Sequence, residues 1–237
     1  MVTAKVLLHS SQKPFSSVTI YEKNSALGGV WASNRIYNGL TTNSPLLTYE
    51  IPDFPFPKHL RVAGAHASAQ DVNSYFQAYA DAYSLTERIQ YSTLVQDVSW
   101  DPESSTWSVK GTLNGAEFRK SFGFLVVCVG LYHTSLDPLE SMINEFAGDI
   151  VHSSEIGEAQ KRETLAASKQ VIIVGAGKSA LDLATILAKG QWTPKESSAP
   201  AVTLVYRRPH WISPRKIVRK TVAFEKLLFS RFVVSSF

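Results

Sequence analysis

One stretch constrains this chain more than any other: Val171-Ile-Ile-Val-Gly-Ala-Gly-Lys-Ser-Ala-Leu-Asp182. Four apolar residues predict a buried parallel strand, Gly175 and Gly177 a tight turn, and residues 178–188 a helix. That order is the strand, turn and helix of a dinucleotide site. The backbone at the glycines approaches a pyrophosphate, and the helix N-terminus favours its negative charge. Ser179 falls in the first helical turn, and Ala180 stands where a third small residue lets helix and strand pack closely. Gly177-Lys178-Ser179 resembles the tail of a P-loop, but that motif needs a glycine where Ile172 stands.

The next strand selects the cofactor. After a loop rich in Gly, Pro and Ser, residues 202–206 predict a strand that ends in Tyr206-Arg207-Arg208. An NAD site carries an acid there, for the ribose hydroxyls. Two guanidinium groups instead suit a 2′-phosphate, which favours NADP(H). The alternative is a solvated basic strand end.

A chain of 237 residues holds one large domain or two small ones. The net charge of +4 is mild, and the basic residues gather after position 205. They form no stripe with interleaved aromatics, so no nucleic-acid partner is expected. Cys128, the single cysteine, excludes intramolecular disulfides and points to a reducing, cytoplasmic setting. It lies in the apolar run 124–129, where a buried structural thiol is expected. No apolar run reaches membrane-spanning length, and no signal peptide is visible. Residues 223–237 are expected to form an amphipathic helix or a core segment. The histidines form no metal-ligand cluster; His59 and His66 are a loop pair.

The N-terminal region holds half of another nucleotide site. Residues 2–8 predict a helix, and residues 18–22 a strand ending in Glu22, followed by Lys23. An acid at a strand end is a ribose-binding feature. Further on stand Leu27-Gly28-Gly29-Val30-Trp31, Thr42-Asn43, Asp53-Phe-Pro-Phe-Pro57 and Phe146-Ala-Gly148-Asp-Ile-Val-His152. On these motifs the chain resembles the flavin-containing monooxygenase family. The last is similar to the Phe-x-Gly-x-x-x-His fingerprint shared with Baeyer–Villiger monooxygenases, although Ile156 replaces the aromatic residue that usually closes it.

The resemblance implies an α/β chain with two dinucleotide-binding, Rossmann-like domains. The first lacks its initial strand and glycine turn and carries an antiparallel β-meander. A partial FAD-binding domain is expected over 1–130, a linker over 131–168 and a partial NADPH-binding domain over 169–237. The meander reads as strands at 89–100, 106–113 and 116–122, with Asn114-Gly115 as a hairpin signal. Residues 44–68 read as loop. Residues 69–83 read as a helix whose Tyr75, Phe76, Tyr79 and Tyr83 are core candidates. Residues 124–129 read as a buried parallel strand ending at Gly130.

The family chemistry is oxygen insertion into a soft nucleophile, an amine nitrogen (as in N,N-dimethylaniline) or a sulfide sulfur. NADPH reduces FAD, and reduced FAD reacts with O2 through a C4a-hydroperoxide. The resemblance places Glu22 and Lys23 at the FAD ribose, and Gly28, Gly29, Val30 and Trp31 along the flavin. It places Val95 at the adenine and Gly130 at the end of the FAD set. Thr42, Asn43, Gly175, Gly177, Ser179, Ala180, Arg207 and Arg208 are assigned to NADPH. Asn43 touches both cofactors and is the candidate catalytic residue, because its amide donates a hydrogen bond without delivering a proton. The other use of Asn43 is a turn before Ser-Pro. His152 is either a structural histidine of the linker or a group coupling domain motion to NADPH binding.

Two further readings stay open. One is Baeyer–Villiger oxidation. The other is an inactive NADP-binding remnant, because the chain is truncated at both ends relative to the family. Unpaired strand edges and missing phosphate donors then predict weak FAD binding and aggregation. A disulfide reductase would need a Cys-x-x-Cys pair.

Overall fold

The protein is described from a computed structural model over residues 1–10, 15–62, 65–131, 146–208, 216–217 and 222–223. Two compact units emerge, one built from 1–33 and 73–136, the other from 34–72 and 137–237. Residues 34–72 therefore cluster with the second unit, whereas the expected partition groups them with the first.

The first unit contains helix α1 (Val2–His9), the short strand β1 (Ile20–Tyr21), most of helix α2 (Ala69–Ala82) and strand β2 (Ile89–Gln90). β1 and β2 pair in parallel, with Ile20 opposite Ile89. Tyr75 and Tyr79 of α2 are buried, one turn apart, as the aromatic spacing predicts. Tyr83 packs tilted against Tyr79 at 4.8 Å and receives α1, with the His9 ring at 5.9 Å and the Lys5 ammonium 4.9 Å from its centroid.

The meander follows as β3 (Thr93–Asp101), β4 (Thr106–Leu113) and β5 (Ala116–Phe122), antiparallel in that order. Asn114 and Gly115 both have positive φ, 49° and 85°, which is the primed turn that matches strand twist. β3 carries a bulge between Val95 and Asp97. Gly111 lies opposite, and a Cβ there would sit 2.0 Å from the Leu94 carbonyl oxygen.

One expectation fails here. Residues 124–129 form no strand, and Phe124, Val127 and Val129 are exposed. Cys128 is exposed as well, not a buried thiol. An apolar run is buried only if neighbours flank it, and no described strand pairs with this one.

In the second unit, helix α3 (Ala159–Ala167) precedes strand β6 (Gln170–Val174), helix α4 (Lys178–Ala188) and strand β7 (Ala201–Val205). β6 and β7 pair in parallel, Val171 opposite Val202 and Val174 opposite Val205. β6 alternates strictly: Val171 and Ile173 are buried, while Ile172 and Val174 are exposed. The buried pair meets Leu183 and Leu187 of α4 and Ile156, which completes the core. The departure from the fingerprint at Ile156 is thus a core position. α3 falls inside the expected linker. Strands β8 (Lys216–Ile217) and β9 (Val222–Ala223) pair antiparallel. The proposed helix or core segment at 223–237 lies outside the described residues apart from Ala223, as does 132–145 of the linker.

Leu187 is fully buried and Leu47 is half exposed. Leu187→Ala is expected to lower unfolding stability by about 2–5 kcal/mol, and Leu47→Ala by less than about 0.5 kcal/mol. Urea unfolding followed by tryptophan fluorescence distinguishes the two.

Candidate nucleotide sites

The second unit builds its site from the end of β6. Gly175 takes φ 128°, a conformation that L side chains rarely adopt, and its amide donates to the Val205 carbonyl at 2.8 Å. That bond pins the turn against the end of β7, beside residues 206–208. A Cβ on Gly175 would stand 3.9 Å from the Ala180 Cβ, the close approach that a small residue at 180 permits. Gly177 caps α4 without a side chain, and nothing lies within 4 Å of where its Cβ would be. The first amides of α4, among them Ser179 and Ala180, are left for an incoming group. Arg207 and Arg208 are exposed, and neither makes an ion pair or hydrogen bond among the described residues.

Behind the turn, Lys178 bonds Asp182 one helical turn on. Burial, together with the Asp182 charge, pushes the Tyr37 hydroxyl up from 10.0 to about 12. Tyr37 meets the Trp192 ring edge-on at 5.5 Å, and the Trp192 indole donates to the Asn38 carbonyl at 3.1 Å. A Cβ on Gly39 would stand 3.0 Å from Ile186, so segment 36–40 lies flat against α4. Lys178 thus bonds within its own helix, and the part played by Tyr37 is not readable from the sequence because it depends on Trp192 and Asp182.

Thr42 shapes the loop that carries Asn43. It is fully buried, and its hydroxyl donates to the Ser44 carbonyl at 2.8 Å while accepting the Ala67 amide at 3.1 Å. The Thr42 amide in turn donates to the Ala67 carbonyl at 3.0 Å. Its side chain is committed to the loop. Asn43 beside it is exposed and makes no hydrogen bond among the described residues. Thr42 and Asn43 belong to the unit that carries Gly175 and Arg207.

The fingerprint residues form a local turn. The Phe146 ring folds over Gly148, where a Cβ would sit 2.7 Å from it. His152 accepts at Nδ1 from the Ser154 hydroxyl (2.7 Å) and amide (3.2 Å), and its own amide donates to Glu155. Both Ser154 bonds require the proton on Nε2. A turn-forming role for His152 is therefore in place.

The first unit assembles the other set. Glu22 follows β1, and its amide donates to the Gln90 carbonyl at 3.0 Å. Its Oε1 accepts the amide and the side chain of Asn24, both at 2.9 Å, which orients the carboxylate and leaves Oε2 for another donor. The Thr93 amide donates to the Glu22 carbonyl, which brings β3 and Val95 alongside; Lys23 follows on the same turn. Gly28 has φ 126°, and a Cβ there would lie 2.9 Å from the Ala32 nitrogen. Gly29 starts a single turn of 3₁₀ helix through Val30 to Trp31, with open space where its side chain would be. The device that holds this loop escaped the sequence reading: buried Asn73 donates to the carbonyls of Trp31 (2.8 Å) and Leu27 (3.4 Å). Gly130, φ 72°, closes the exposed run after β5.

The chain thus presents two loop turns in an α/β fold, each at the end of a parallel strand, one followed by an acid and one by two arginines, the arrangement of Rossmann-type domains. The chain belongs to the flavin-binding monooxygenase-like family, whose model matches residues 12–235. It is 28% identical over 239 residues to FAD-binding monooxygenase ktnD of Aspergillus niger, covering 97% of this chain and 36% of that protein. It is also 28% identical over 227 residues to flavin-containing monooxygenase 3 of Homo sapiens, covering 90% of this chain and 40% of that protein. Among solved structures it resembles OTEMO in complex with FAD and NADP, with TM-score 0.67 and 23% identity over 90% of this chain and 37% of that one. That likeness supports the Rossmann-type α/β fold. The chain spans less than half the length of the curated relatives it matches. No helix among the described residues is long and apolar enough to cross a membrane.

Two outcomes follow from these contacts. Asn73→Ala removes the donor to Trp31 and is expected to cost about 1–3 kcal/mol of stability, read from the urea midpoint. For Tyr37 the folded state holds the neutral form more tightly than the unfolded chain does. Its contribution is complete below pH 10.0 and is lost as pH rises towards about 12. Tyr37→Phe should flatten that alkaline loss, as measured by unfolding at stepped pH.

Proposed function

We propose that this chain supplies the FAD- and NADPH-binding elements of a monooxygenase that inserts one oxygen atom of O2 into a small soft nucleophile, an amine nitrogen or a sulfide sulfur. The observation that carries the reading is the pair Arg207 and Arg208, free of partners among the described residues, beside a glycine turn that is pinned to the same strand end.

The residues present fit both cofactors. Open space at Gly29 and Gly177 gives backbone amides room to meet phosphate or flavin, and Glu22 Oε2 is oriented for a ribose hydroxyl. Bound FAD would supply the oxygen-activating chemistry, with NADPH as the source of electrons. The protein's part is to bind and orient. Arg207 and Arg208 hold the 2′-phosphate as planar forks. The first turn of α4, including Ser179 and Ala180, receives the pyrophosphate. Asn43 offers an uncharged donor that stays uncharged across the physiological range, so it orients an acceptor without protonating it. Val30 and Trp31 provide apolar cover that limits water near the flavin.

Isothermal titration of the purified chain with NADP+ and NAD+ tests the reading. NADP+ should bind more tightly. Two charge-assisted contacts are worth about 1.5 kcal/mol or more each, so the R207A/R208A double variant should lose about 100-fold or more for NADP+ and little for NAD+. Equal affinity for both nucleotides in the unaltered protein would remove the basis of the proposal.

A further inference from the structure

Asn43 is presented by a loop whose anchoring is uneven. Segment 65–69 lies along segment 40–46, with the Leu46 amide donating to the Ala65 carbonyl and the Ala69 amide to the Leu40 carbonyl. The Thr42 amide donates to the Ala67 carbonyl, and the Thr42 hydroxyl accepts the Ala67 amide. All of these fix the chain on either side of Asn43. The Thr42 carbonyl is held separately, by the His66 ring at 2.9 Å.

The chemistry of that contact is determined. A carbonyl oxygen only accepts, so Nδ1 carries the proton and donates. Nε2 makes no hydrogen bond among the described residues. The Thr42 carbonyl and the Asn43 amide nitrogen are two ends of one planar peptide unit. A bond at the oxygen sets the rotation of that plane. It thereby sets where the Asn43 Cα lies and how its side chain leaves the loop.

We propose that His66 is a positioning residue, which aims the Asn43 amide by holding the Thr42–Asn43 peptide plane. This rests on the reading of Asn43 as a group that meets NADP(H). The bonds to Ala65, Ala67 and Leu40, and that of the Thr42 hydroxyl to the Ser44 carbonyl, do not involve the His66 side chain, so the loop should persist when that ring is removed. Only the plane is released. In an asparagine at 66 the Nδ2 group can replace the Nδ1 donor.

The experiment compares the unaltered chain with H66A, H66N, N43A and the H66A/N43A double variant. Two readouts are taken. The first, without nucleotide, is the NMR side-chain amide signal of Asn43, identified by its loss in N43A. It should shift and broaden in H66A and return in H66N, while signals from Gly175 and Ala180 stay in place. The second is the NADP+ dissociation constant. H66A should raise it about tenfold, the equivalent of one hydrogen bond, H66N should restore it, and H66A should add nothing in the N43A background. An unmoved Asn43 signal in H66A, or losses that add in the double variant, would overturn the proposal. If the unaltered chain takes up no NADP+, the cofactor reading fails, and the Asn43 signal alone then decides the role of His66.

Discussion

One backbone hydrogen bond, from the Gly175 amide to the Val205 carbonyl, organises the second nucleotide site. It continues the parallel register of β6 and β7 by one residue, past the last paired positions Val174 and Val205. The turn therefore starts where the second strand ends. The groups able to meet an anion follow from this alignment: the first amides of α4 on one side and the two guanidinium groups on the other. Gly175 permits it because its φ of 128° places the chain in a region where a Cβ would be strained. The hydrophobic packing beneath, with Leu187 and Ile156 against Val171 and Ile173, keeps the strand pair and helix from sliding.

Both candidate sites use buried polar side chains as brackets for loops. Asn73 gathers the carbonyls of the Gly28-Gly29 turn, and Thr42 closes both sides of its own loop on Ala67. Each side chain is almost wholly removed from water, so leaving its partners unmade would cost more than the bonds themselves contribute. This makes the loops stiff at chosen points and leaves adjacent residues, Asn43 among them, with uncommitted polar groups. Preorganisation of that kind is what a site needs if binding is to order little else.

Local pattern and turn chemistry made much of this legible. α4 and β4 occupy the positions that periodicity assigns, and Asn114-Gly115 forms the hairpin its residue types demand. The glycine turn, Glu22 and the arginines fall at strand ends as read. What was not legible depends on distant partners. Residues 124–129 look like a core strand because hydrophobicity reports a capacity for burial, and burial itself requires flanking strands. The part that Thr42 plays in holding its loop depends on Ala67, 25 positions along the chain, whose amide its hydroxyl accepts. His66 and Asn73 carry no motif, since their meaning lies in the carbonyls they reach. α3 lies in a stretch that reads as linker because its apolar face is short, with Ala166 its only fully buried residue.

The meander bears on the order in which the chain acquires structure. Its strands are neighbours in sequence, joined at Asn114-Gly115 by a two-residue turn already suited to strand twist. The β1–β2 pairing must instead bring Ile20 to Ile89, and β6–β7 must close around a whole helix. Loop-closure entropy rises with separation, and slow steps collect where contacts are distant. The three meander strands pair only with sequence neighbours, so their contacts close short loops. Glu22 is held by Gln90 and Thr93, so its placement depends on the more distant of these pairings and not on the local hairpin.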